Sequence, residues 1–66
     1  MNWDQISGNW HQIKGKLRAQ WGDLTDDDIE RVAGNHERLV GLVQERYGLA
    51  REAAERQVSD WAKTMH

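Results

Sequence analysis

Two stretches of this chain can be laid one over the other, and the overlay limits what it can fold into. GNWHQIKGKLRAQWG at 8–22 matches GNHERLVGLVQERYG at 34–48: Gly8, Asn9, Gly15 and Gly22 stand over Gly34, Asn35, Gly41 and Gly48. Ile13 meets Leu39, Leu17 meets Val43, and Trp21 meets Tyr47. The glycines step by seven in each set, and the sets are offset by 26. This is the pattern of an internal repeat, or of two helices obeying the same rules, with glycine carrying most of the signal.

Each window reads as a helix. Trp3, Ile6, Trp10, Ile13, Leu17 and Trp21 recur in steps of three and four. At about 100° per residue they span an arc of roughly 80°, a narrow apolar stripe. His36, Leu39, Val40, Val43 and Tyr47 repeat the arrangement. Gly22 and Gly48 follow the aromatic that ends each stripe, where a left-handed residue closes a helix. Gly15 and Gly41 fall on the far side, where glycine costs about 1 kcal/mol against alanine and returns nothing on a bare surface.

A shorter helix follows each long one. Thr25 is placed to cap a helix by accepting from the Asp28 amide, with Leu24 and Ile29 as a hydrophobic staple. The later start has Ala50, a poor cap, before a helix that turns Ala54, Val58, Trp61 and Met65 inward. The expected helices are 3–21, 26–33, 35–47 and 51–63, with no strand. Trp10, Ile13, Leu17, Trp21, Ile29, Leu39, Val43, Tyr47, Val58 and Trp61 are expected to form the core, while Trp3 is left uncommitted. Helices this short need a shared core, so the expectation is one all-α domain over 1–66.

Composition narrows the function. There is no cysteine, hence neither a disulfide framework nor a thiolate metal site. Eleven acidic residues against nine basic give a net charge of -2, without the footprint of a nucleic-acid binder. MNWDQISGNW has no basic n-region and no apolar run, and no segment has the length of a membrane span. A cytoplasmic monomer, away from membranes, is expected. Asp23, Asp26, Asp27, Asp28 and Glu30 are dense enough to suggest a cation site, but acids in a first helical turn also offset the helix dipole, and no calcium-loop spacing surrounds them. His11, His36 and His66 have no ligand spacing, and Ser7 and Ser59 have no nucleophile motif. His36, at the stripe position matching Trp10, is expected to be partly buried. Lys14, Lys16 and Arg18 spread around a helix and do not line up along a phosphate backbone. No catalysis, cofactor or metal is therefore expected.

GNWHQIKGKLRAQWGDLTDDD (8–28), LVGLVQERYG (39–48) and AER…V…W from Ala54 to Trp61 resemble the CsbD-like family of small bacterial general stress proteins. The resemblance implies a small four-helix bundle of two orthogonally packed helical hairpins, similar to the SAM-domain topology. It also implies a stress-response role without enzymatic activity or cofactor, exercised through protein contacts or as a hydrophilic protectant. A nucleic-acid-associated helical factor is the alternative. Leu42 departs from the family pattern, where lysine is common, and Ala50 stands where a capping residue is more usual. With Gly15 and Gly41, Leu42 marks the expected surface for a protein partner.

Overall fold

The computed structural model describes residues 3–64, so the inward placement expected of Met65 lies outside the described residues. Five helices follow in order: α1 Trp3–Gly8, α2 Trp10–Gln20, α3 Asp26–Val32, α4 His36–Tyr47 and α5 Arg51–Lys63, with no strand among the described residues. The radius of gyration, 10.7 Å, matches the roughly 10.8 Å of a compact chain of this length. α5 and α3 both pack against α4.

The expected first helix is in fact two. The chain leaves helical geometry at Asn9, with φ -111° and ψ 24°. The Gln5 carbonyl still receives the Asn9 amide at 3.1 Å and takes a second bond, at 3.0 Å, from the Asn9 side-chain Nδ2, which reinforces the last turn of α1. Gly8, poor at holding helix, stands just before Asn9. The repeat partner Asn35 behaves differently: its Oδ1 accepts from the Arg38 amide at 3.0 Å and caps α4.

Ile6, Leu17, Leu39, Val40, Val43, Ala54 and Val58 are shut off from solvent, and Ile13, Trp21, Leu24, Ile29, Val32, Trp61 and Ala62 are nearly so. These residues form a shared cluster, with Trp3, Trp10, Leu42 and Leu49 packed against it. Trp21 and Trp61 meet edge to face at 5.3 Å, and Trp3 stands 6.4 Å from Trp61. Tyr47 departs from the expected core: it is 37% exposed. Its hydroxyl accepts from the Asp23 amide at 3.2 Å, a contact a phenol makes by keeping its polar end at the surface. Trp10 is half-buried.

The paired glycines have diverged. Gly48 is left-handed at φ 63°, and its amide and that of Leu49 both reach the Gln44 carbonyl. Gly22 is not left-handed; α2 ends instead through Trp21, at φ -126°, and the Leu24 amide returns to the Trp21 carbonyl at 3.2 Å. Gly34 is left-handed at φ 79° and lies against α1: a Cβ there would come within 2.8 Å of the Ser7 Cα. At Gly8 nothing lies within 4 Å of the same added atom. Gly15 and Gly41 do share an environment, both exposed with open space where a Cβ would stand.

Candidate functional site

A groove lies between α3 and α4, and a capping box builds one wall of it. Thr25 Oγ1 accepts from the Asp28 amide at 3.1 Å, and Asp28 Oδ2 accepts from the Thr25 amide at 3.2 Å. The same carboxylate takes Arg46 in a fork, Nη2 to Oδ1 at 2.9 Å and Nε to Oδ2 at 3.1 Å. Asp28 is 4% exposed. Its bond to Arg46, then its bond to the Thr25 amide, hold its pKa below the usual carboxylate value, against the opposing effect of burial. One carboxylate thus starts α3 and ties it to the last turn of α4.

Beyond this clamp the helices part into the groove, of about 580 Å3. Val32 from α3 and Gly41 and Leu42 from α4 line its middle, and Arg31 and Arg38 stand at the end away from the clamp. The Arg38 Nη1 donates to the Arg31 carbonyl at 3.1 Å, which fixes that end. Gly41 and Leu42, singled out from the sequence, therefore sit together in the groove. Gly15 does not: it lies on the exposed face of α2. The arginines and Val32 were not foreseen as a site, since their convergence depends on how α3 sits on α4.

Four of the remaining charged candidates, Lys14, Arg18, Asp26 and Glu30, are drawn into ion pairs. Arg18 pairs with Asp26 at 2.6 Å and Lys14 approaches Glu30 at 3.8 Å, which joins the basic run of α2 to the acidic turn of α3. No three His, Cys, Asp or Glu side chains among the described residues gather as a metal set. His36 is half-buried as expected, its ring 4.9 Å from that of Trp3. His11 and Ser59 are exposed, and Ser7 lies against Gly34. No described helix is long and apolar enough to cross a membrane.

Fold and site together define a small all-helical protein with an arginine-edged groove between α3 and α4. The sequence model of the CsbD-like proteins matches residues 4–56, and the chain belongs to that family. It is 57% identical over 61 residues to UPF0337 protein ECA0631 of Pectobacterium atrosepticum, spanning 92% of this chain and 88% of that one. It is 52% identical over 61 residues to UPF0337 protein YjbJ of Escherichia coli K12, with 92% and 88% covered. Identity to UPF0337 protein NE2439 of Nitrosomonas europaea is 50% over 62 residues, which span 94% of this chain and 66% of that protein.

Proposed function

We propose that this protein is a non-catalytic component of the bacterial general stress response, working in the cytoplasm as a monomer through protein contacts at the α3/α4 groove. The observation that carries the reading is the placement of Gly41 and Leu42, a backbone left open and a half-buried apolar side chain, side by side in that groove. On this reading the helices form two orthogonal hairpins in a SAM-like arrangement, with the broken α1–α2 unit standing for one long helix. A hydrophilic protectant role is the second reading, favoured by a mean hydropathy of -0.93. The nucleic-acid alternative is weakened because Lys14 and Arg18 already face carboxylates.

The test is photo-crosslinking in stressed bacteria, with p-benzoylphenylalanine placed at position 42 and, as a control, at exposed position 19. Discrete adducts formed from position 42 and not from position 19 support contact with defined partners. A diffuse ladder from both positions favours the protectant.

A further inference from the structure

α4 carries two stripes. Leu39, Val40 and Val43 face the core, while Arg38, Gly41, Leu42 and Glu45 step by three, one and three along the groove. The second stripe is ordered: a cation at the α4 start, an open backbone and an apolar side chain in the middle, an acid at the far end. Neighbouring positions at this spacing form a continuous helix surface.

The charges of the groove are unevenly satisfied. In the groove Arg46, and outside it Arg18 and Arg51, each meet a carboxylate within 3 Å. Arg31 and Arg38 meet none among the described residues, although both stand at the same end of the groove. At the other end Arg46 is already held by Asp28 and approached by Glu45 at 3.5 Å. An incoming carboxylate is therefore attracted at the Arg31–Arg38 end and repelled by Glu45 at the other. Guanidinium forks suit carboxylates geometrically. Between the ends, open space over Gly41 lets a foreign side chain approach the α4 backbone, with Val32 and Leu42 as its apolar neighbours.

The geometry points to this groove as the docking site of an acidic protein segment, one that sets an aliphatic side chain over Gly41 and carboxylates against Arg31 and Arg38. The inference rests on the reading that the protein works through contacts, and adds what the contact recognises. A nucleic acid fits less well. Two cations at one end do not follow a phosphate backbone, and the net charge is -2.

The test is fluorescence anisotropy with the intact chain and a fluorescein-labelled peptide of sequence EELLDEE. Saturable binding is expected, and Gly41→Leu, which fills the groove while favouring helix, weakens it by about tenfold or more with the melting temperature kept. Arg38→Glu, on the exposed rim, abolishes it. Arg31→Ala weakens it by about threefold, the scale of an exposed ion pair. Lys16→Ala and Arg56→Ala remove the same charge elsewhere and leave binding unchanged. Unaltered binding to Gly41→Leu overturns the proposal, as does equal loss with Lys16→Ala and Arg56→Ala, which marks diffuse attraction. Preferential binding of an oligothymidine, with the same dependence on Gly41 and Arg38, also overturns it by assigning the groove to nucleic acid. No saturable peptide binding overturns the acidic-segment assignment alone, because crosslinking from position 42 judges the broader reading independently.

Discussion

Asp28 and Arg46, eighteen positions apart in sequence, meet through two hydrogen bonds of 2.9 and 3.1 Å while Asp28 also receives the Thr25 amide. The nearly buried carboxylate serves a cap and an interhelical clamp at once, so its loss should exceed that of either function alone. Asp28→Asn is expected to lower the urea midpoint further than Thr25→Ala does. Arg46→Leu, which leaves the capping box intact but strands the carboxylate, should fall on the same side of Thr25→Ala. Equal midpoints for Thr25→Ala and Asp28→Asn would show that the clamp adds nothing.

Gly15, Gly34 and Gly41 should divide sharply under replacement by alanine. Gly15→Ala and Gly41→Ala meet open space and should each stabilise by up to about 1 kcal/mol. Gly34→Ala meets both a left-handed backbone, about 1–2 kcal/mol, and overlap with Ser7, about 1–3 kcal/mol. Chemical denaturation of the three variants checks the order, and a Gly34→Ala protein as stable as the parent contradicts the close approach of α1.

The helix ends set the scale for Thr25→Ala and offer two further substitutions. Thr25→Ala should destabilise by about 1 kcal/mol. Ala50 caps α5 with no side-chain bond, so Ala50→Asp should stabilise by a similar or smaller amount. Ala33 ends α3 at φ 47°, and Ala33→Gly should gain about 1 kcal/mol by relieving that backbone. Thermal melts at fixed pH read all three.

Acid should weaken the fold in a defined window. Asp28 is held below its ordinary 3.8 first by the Arg46 hydrogen bond, and Glu37 below its ordinary 4.5 first by that of Arg51. A depressed folded-state pKa means the unfolded chain takes up protons first as pH falls. These contributions are whole above 4.5 and decline as pH passes down through 3.8 and below. The urea midpoint followed across this range should drop, with a shallower drop in Asp28→Asn. An unchanged slope in that variant would remove Asp28 from the account.

What the sequence made legible was periodic or local. Ile13, Leu17, Leu39 and Val43 announce the core through helical spacing, and Thr25 and Asp28 announce a cap because both partners lie within one turn. The break at Asn9 was hidden, because the apolar stripe runs unbroken through Trp10 while the backbone leaves helical geometry one residue earlier, at Asn9. Gly22 and Gly48 look alike in sequence, yet their handedness follows from how each helix leaves the core. The groove was half legible. Gly41 and Leu42 stood out as an exposed glycine and an apolar departure. Gly15 looked equivalent until the neighbours of each were known, and Arg31, Arg38 and the reach of Arg46 to Asp28 depend on tertiary placement.

The break at Asn9 also bears on the order in which the molecule assembles. α1 is six residues long, shorter than a segment that holds itself helical. Beyond its contact with the neighbouring α2, its attachments are distant ones: Ile6 in the core, Trp3 on His36 and Trp61, and Ser7 against Gly34. α4 and α5 are adjacent in sequence and pack together, so the loop that joins them closes cheaply. The first segment should therefore dock after the α4–α5 unit has formed and be the earliest to leave. In kinetic terms, Ile6→Val should accelerate unfolding and leave the folding rate nearly untouched, whereas Val43→Ala should slow folding.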